Sequence, residues 1–263
     1  MAKIYTFVNQ KGGVGKTTST INLGAYLAHF GQRVLLIDND PQANATSSLG
    51  IDKQEIKLGT YEVIIGSEPL APQIMHNPRL KLSILPSSPA LAGAEIELID
   101  IPNRERRLRD AIATVEDRYD YILIDCPPSL SLLTINGLLA ARNGVIIPVQ
   151  CEYLALEGIG QLVHTIDLVS NSLFPALTVR GVLLTMYDGR TRLALDVVKE
   201  IRNFFPDKVF DSIIPRSVRL AEAPSYGLPI TLYSPESTAA KSYSALALEV
   251  LKQDGVRFKN PEE

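Results

Sequence analysis

Cysteine is scarce: there are two in 263 residues, Cys126 and Cys151, and they form no C-x-x-C pair. That usage excludes a disulfide framework and a structural zinc site. Each cysteine follows an apolar run and reads as a small buried side chain at a strand end. Long hydrophobic runs are missing too, since no apolar segment approaches the roughly 18 residues that cross a bilayer. Neither sign of charge dominates at a net −3, so bulk charge argues neither for nor against a nucleic-acid partner. The chain opens Met1-Ala2-Lys3 and runs directly into an apolar stretch without a leader pattern, so a cytoplasmic location is expected. What is present is ordinary for a globular enzyme with a full core: 46% apolar and 21% charged residues.

Short apolar runs alternate with helical patterns. Strands are expected at 4–8, 34–38, 121–125, 144–149, 179–186 and 209–214, with 82–85 at or near the same sheet. Helices are expected at about 16–30, 104–116, 131–142, 155–172, 191–205 and 236–252, the first closed by Gly31 as its C′ residue. Runs this apolar, with little alternation, fit a parallel sheet covered on both faces. The fold class is therefore α/β, a doubly wound, mostly parallel sheet flanked by helices, with ligands at the carboxyl ends of the strands. One domain over 1–263 is expected. The stretch 50–110, with Pro69, Pro72, Pro78, Pro86 and Pro89, reads as irregular connections between short elements.

Between the first strand and the first helix stands Gln10-Lys11-Gly12-Gly13-Val14-Gly15-Lys16-Thr17-Thr18. This is a phosphate-binding loop of unusual form, with Gln10 where G-x-x-x-x-G-K-[ST] begins and a second lysine inside the loop. Glycines let successive N–H groups turn toward a polyphosphate, and the following helix offers its positive end to the same anion. Lys16 is expected at the β- and γ-phosphates and the Thr17 hydroxyl on Mg²⁺.

Three carboxylates follow strands. Leu36-Ile37-Asp38-Asn39-Asp40-Pro41 ends one, and Tyr121-Ile122-Leu123-Ile124-Asp125-Cys126-Pro127-Pro128 has the Walker B form, with Asp125 facing the metal through water. Asp38 reads as a group serving the metal or ordering its loop, and Asp40 as the one that orients the attacking water. Turn chemistry alone is the plainer reading of both. Guanine readers carry Asn-Lys-x-Asp, which is absent here, so ATP is favoured. Met186, Pro215 and Arg216 at late strand ends are candidate walls for the adenine, or ordinary core and turn residues.

Together these residues resemble the ParA/Soj partition ATPases, within the deviant-Walker group that includes MinD and the nitrogenase iron protein. Further matches are Cys151-Glu152-Tyr153-Leu154-Ala155-Leu156-Glu157-Gly158, Thr185-Met186-Tyr187-Asp188-Gly189-Arg190-Thr191 and the segment 214–225 from Ile214-Pro215-Arg216. The resemblance covers nearly the whole chain. It implies an ATP-dependent homodimer in which Lys11 crosses to the partner's nucleotide and Gly12 lets the two loops approach. The catalytic set it implies is Lys11, Lys16 and Asp40, with Thr17, Asp38 and Asp125 at the metal. A solvated lysine adding only local positive potential is the plainer alternative for Lys11.

The resemblance also implies DNA binding without sequence preference by the dimer, with Arg190 and Arg219 at the contact surface. From the residues alone, the segment 179–227 is only mildly basic, and a solvated face of mixed charge is an equal reading. No arginine finger is evident in cis, and the family's ParB/Spo0J partner, which stimulates hydrolysis with a basic peptide, is implied. No helix-turn-helix precedes the loop, so operator-specific repression is not expected. A MinD-like membrane ATPase is the alternative, but the end from Leu251 to Glu263 carries Gly255, Pro261 and terminal acids and makes no basic amphipathic helix. No membrane partner is expected. An iron-protein-like carrier lacks suitable cysteines.

Overall fold

The computed structural model describes residues 1–152 and 155–256. Tyr153, Leu154 and the tail 257–263 lie outside the described residues. In chain order the elements are β1 (Lys3–Phe7), α1 (Lys16–His29), β2 (Val34–Asp38), α2 (Asn44–Ser48), α3 (Thr60–Ile65), β3 (Met75–Asn77), β4 (Leu82–Leu85), α4 (Leu91–Glu97) and α5 (Arg107–Ile112). There follow β5 (Tyr121–Asp125), α6 (Leu132–Ala140), β6 (Val145–Gln150), α7 (Ala155–Ser172), β7 (Val179–Thr185), α8 (Arg192–Phe204), α9 (Val218–Glu222), α10 (Ile230–Tyr233) and α11 (Thr238–Gln253). The strands form one sheet in the order β3-β4-β2-β5-β1-β6-β7. It is parallel except for the edge pair β3 and β4.

The unbroken apolar runs are explained by two cores, one on each face. Along β1, Ile4 and Val8 point to one core while Tyr5 and Phe7 point to the other. Leu35 and Ile37 of β2 and Ile122 and Ile124 of β5 join the first core, whereas Val34, Leu36, Tyr121 and Leu123 join the second. Helices α3 to α8 cover the first face, and α1, α10 and α11 cover the second. A strand buried on both faces has no polar side to alternate with.

Helix α1 is the central piece of the second layer, buried from Ser19 to Ala28. Gly24 lets it lie close to β2, where an added Cβ would stand 2.6 Å from Leu36 Cδ2. It ends as expected at Gly31, with φ at +85°. The N–H groups of Gly31 and Gln32 donate to the Ala28 and Leu27 carbonyls, a Schellman closure.

Two expected elements differ. Residues 209–214 form no strand but only isolated parallel bridges to the last strand's path, Val182 with Val209 and Tyr187 with Pro215. Between them the Asp211 and Ser212 N–H groups turn away and donate to the Glu249 carboxylate on α11, at 2.8 and 3.0 Å. The expected helix 104–116 shortens to a 3₁₀ turn and α5. There Asn136 of α6 accepts from the Leu108 N–H and donates to the Arg104 carbonyl, so α6 sets where the helix begins. Within 50–110, α3 is closed by Arg107, whose guanidinium donates to the Ile64 and Ile65 carbonyls. A cation at a helix C-terminus also meets the negative end of its dipole.

Candidate nucleotide site

Strand register assembles the site. Phe7 pairs with Asp125 and Asp38 pairs with Asp125 across adjacent parallel strands, so β1, β5 and β2 end side by side. The phosphate-binding loop leaves β1 there, the Asp40 turn leaves β2, and Asp125 caps β5.

The loop is held from outside. The Asn9 amide donates to the Pro148 carbonyl at 2.7 Å and accepts from the Lys11 N–H at 2.9 Å. Thr185 at the end of β7 donates its hydroxyl to the Val14 carbonyl at 2.8 Å. Gly15 turns the chain into α1 with φ at +88°, a conformation that suits glycine. Gln10, at the usual first-glycine position, has no positive φ, so the motif does not need a glycine there.

Lys16 is 7% exposed, and its ammonium donates to the Lys11 carbonyl at 3.2 Å. Burial pushes its pKa down, while the charges of Asp125 and Asp40 hold it up. Asp125 is fully buried and accepts from the Thr17 hydroxyl at 2.6 Å. Burial raises its pKa and the nearby Asp38 charge adds to this, against the Thr17 hydrogen bond. Asp38 is also fully buried. One of its oxygens accepts from both the Thr46 N–H and hydroxyl, at 2.8 and 2.7 Å, and the other from the Asp40 N–H. Burial pushes Asp38 up to about 6, opposed by the Thr46 hydrogen bonds. Of the two readings of Asp38, this geometry supports the loop-ordering one, because both oxygens are engaged within the turn. Asp40 accepts from the Gln42 N–H at 2.9 Å.

Two concavities meet at the loop. A cleft of about 450 Å³ is lined by Gly12, Gly13, Gly15, Lys16, Thr17, Thr18 and Asp40. The second, of about 300 Å³, is walled by Met186, Ile214, Pro215, Arg216, Leu220, Ala221 and Tyr243. Gly15, Thr18 and Met186 line both. A cleft with the larger polar share, running into a more apolar one, fits a polyphosphate carrying a planar base. Met186, Pro215 and Arg216 are thus gathered at one place. Leu220, Ala221 and Tyr243 were not singled out from sequence, since α9 and α11 reach the site only through tertiary packing. Thr185 and Asn9 were missed as loop fasteners for the same reason.

The arginines lie elsewhere. Arg190 pairs with Asp188 at 2.6 Å, and Arg219 with Glu222 at 2.9 Å. Their side chains are 89% and 60% exposed. Arg216, besides lining the base cavity, pairs with Glu152 at 2.7 Å. The Lys11 carbonyl and N–H are both engaged. Among the described residues, no hydrogen bond or ion pair holds the Lys11 side chain. A Cβ added to Gly12 would meet nothing within 4 Å.

The AAA domain family matches residues 2–179. The sporulation initiation inhibitor protein Soj of Bacillus subtilis is 52% identical over 250 residues, 95% of this chain and 98% of that protein. The chain belongs to the ParA/Soj family of partitioning ATPases. Another relative of this ParA/Soj protein is the chromosome partitioning protein ParA of Myxococcus xanthus, 51% identical over 97% of this chain and 89% of that one. The ParA/Soj fold is shared with a solved cobyrinic acid a,c-diamide synthase from Mycobacterium smegmatis with bound ADP and magnesium. That match has a TM-score of 0.85 and 35% identity, covering 99% of this chain and 100% of that one. A putative plasmid partition protein from Borrelia burgdorferi bound to AMPPNP matches with a TM-score of 0.81 and 26% identity, over 96% and 100% of the two chains. The septum site-determining protein MinD of Pyrococcus horikoshii, complexed with Mg-ADP, matches at 0.76 and 29%, over 97% and 98%.

Proposed function

We propose that this single-domain chain is a Mg²⁺-dependent ATPase that partitions DNA through an ATP-dependent homodimer. The closed dimer binds DNA without sequence preference and lets go when a ParB/Spo0J-type protein stimulates hydrolysis. The observation that carries the reading is the pairing of the two loop lysines. Lys16 is buried inward against the acids, whereas no hydrogen bond or ion pair among the described residues holds the Lys11 side chain, on a loop with open space at Gly12.

In this reading the N–H groups of Gly12 to Thr18 cradle the phosphates, and Lys16 compensates their charge from within. The Thr17 hydroxyl would hold Mg²⁺, with Asp125 acting through water and Asp38 ordering the turn. Mg²⁺ bound there would supply charge neutralisation to the phosphates. Asp40, at the rim of the cleft, orients the attacking water. Met186 and Pro215 stack against the adenine, with Arg216 at its edge. Lys11 reaches the phosphates of the facing subunit.

The test is ATP-dependent dimerisation. Lys11→Ala is expected to keep ATP binding and lose the dimer in light scattering with Mg²⁺-ATP. A normal dimer would leave Lys11 a solvated surface lysine.

DNA binding is assigned to Arg190 and Arg219 in the dimer. Each meets a phosphate only by exchanging a neighbouring carboxylate. Exposed pairs of this kind contribute little in water, so the exchange is permitted but one protomer binds weakly. Two joined patches gain through effective concentration. Arg219→Glu is expected to lower ATP-dependent DNA affinity at least about tenfold at low salt, because it loses a phosphate contact and adds repulsion. Unchanged retention in a filter-binding assay would move the DNA surface elsewhere. The protein is expected in the cytoplasm, on the nucleoid when ATP-bound.

The likeness to MinD favours a second reading, a membrane-associated positioning ATPase. No helix among the described residues is long and apolar enough to cross a membrane. Pelleting with anionic vesicles in Mg²⁺-ATP separates surface attachment from DNA binding.

A further inference from the structure

The Asp40 turn is fastened from a neighbouring strand by a residue that follows β4. Ser87 is fully buried. Its hydroxyl donates to the Asp40 carbonyl at 2.9 Å, and its N–H donates to the Thr46 hydroxyl oxygen at 2.9 Å. That Thr46 hydroxyl donates in turn to Asp38. A closed circuit results, Asp38 to Thr46 to Ser87 to Asp40, in which Asp38, Thr46 and Ser87 are wholly inaccessible and Asp40 is 6% exposed. Strand β4 lies beside β2, with Leu85 opposite Ile37, which brings Ser87 to the turn.

The hydroxyl is not needed to satisfy a buried carbonyl. Asp40's oxygen already accepts from the Ala43 N–H at 2.8 Å. The remaining hydrogen bonds to Asp40 among the described residues come from within its own turn, from Asp38 to Ala43. Ser87 alone among them ties Asp40 to another strand. With the Ala43 N–H it holds the Asp40–Pro41 peptide from two sides, while the Gln42 N–H holds the carboxylate itself.

We infer that Ser87 is a positioning residue for ATP hydrolysis, acting through its hydrogen bond to Asp40. This rests on the proposed role of Asp40 as the group that orients water. A carboxylate that turns a water must be held closely, since displacements near 1 Å cost as much as about a hundredfold in rate. The Ser87→Ala change removes one hydrogen bond, keeps the N–H to Thr46, and leaves no unsatisfied acceptor on Asp40, so the fold should survive it.

The experiment measures steady-state ATP turnover of the full chain with Mg²⁺, alongside ATP affinity, ATP-dependent dimerisation and melting temperature. Ser87→Ala, Ser87→Cys, Asp40→Ala and the Ser87→Ala/Asp40→Ala double variant are compared. Ser87→Ala is expected to lower kcat about tenfold with KM and dimerisation unchanged. Ser87→Cys, similar in size and a weak donor, should fall between it and the parent, and it carries the comparison if the alanine variant does not fold. In the double variant, the serine change should add nothing to the loss from Asp40→Ala. Wild-type kcat in Ser87→Ala beside an inactive Asp40→Ala would overturn the inference and spare the Asp40 reading. A full additional loss in the double variant would also overturn it, exposing a general structural effect. Wild-type turnover in Asp40→Ala would remove the Asp40 reading and this inference together.

Discussion

Lys16→Ala is expected to lower ATP affinity roughly a thousandfold, on the basis of two charge-assisted hydrogen bonds at about 2 kcal/mol each. The lysine stands at the start of α1, 7% exposed, in a site where Asp38, Asp40 and Asp125 converge. Its charge opposes that of Asp125 and Asp40. Alanine would leave an incoming polyphosphate facing these carboxylates with only loop N–H groups and the dipole of α1 in its favour. Alanine also removes the Lys16 bond to the Lys11 carbonyl, but the loop should keep its shape, because Asn9 and Thr185 still hold it through Pro148, Lys11 and Val14. Isothermal titration with Mg²⁺-ATP reads the effect directly. Wild-type affinity in a folded Lys16→Ala protein would mean that the backbone cradle suffices and would strip Lys16 of its assigned role.

Gly12→Val is expected to abolish the ATP-dependent dimer while sparing ATP binding. Inside one protomer, the added side chain has room, with nothing within 4 Å of its Cβ and a backbone outside the left-handed region. Neither folding nor the contacts of Lys16 and Thr17 should suffer. Any effect on association must therefore arise across an interface, where a branched side chain would hold two loops apart. Lys11 then could not reach a facing nucleotide. Light scattering with Mg²⁺-ATP distinguishes the outcomes, and an ATP-dependent dimer of this variant would rule out loop-to-loop closure. A monomer that has also lost ATP would instead place the fault within the loop.

Much of this was legible because its signals are local. The runs at β1, β2, β5 and β6 are mostly apolar, the loop motif is contiguous, and Asp38, Asp40 and Asp125 each stand at a run's end. The readings failed where long-range partners decide. Residues 209–214 are apolar enough for a strand, yet the Phe210 and Ile214 N–H groups reach β7 while that of Ser212, between them, goes with Asp211 to Glu249 on α11, so the ladder is interrupted. Ser87 and Thr46 gave no signal, because a serine and a threonine between prolines and short helices look like turn chemistry until β4 is seen beside β2. Tyr243 belongs to the base cavity only because α11 packs on α1. It also exchanges a hydrogen bond with Ser19.

Helix α1 is enclosed by the sheet on one side and by α10 and α11 on the other, with no flank left for a large shift. It therefore serves as a fixed datum against which the triphosphate is measured. With the Asp40 turn tied to Thr46 and Ser87 as well, adjustment to the state of the nucleotide is left to the segment after β5 and the stretch leading into α9. A fixed gauge with edges free to adjust would let one missing phosphoryl group be felt as an altered outline of the molecule, without unsettling the core that holds the rest.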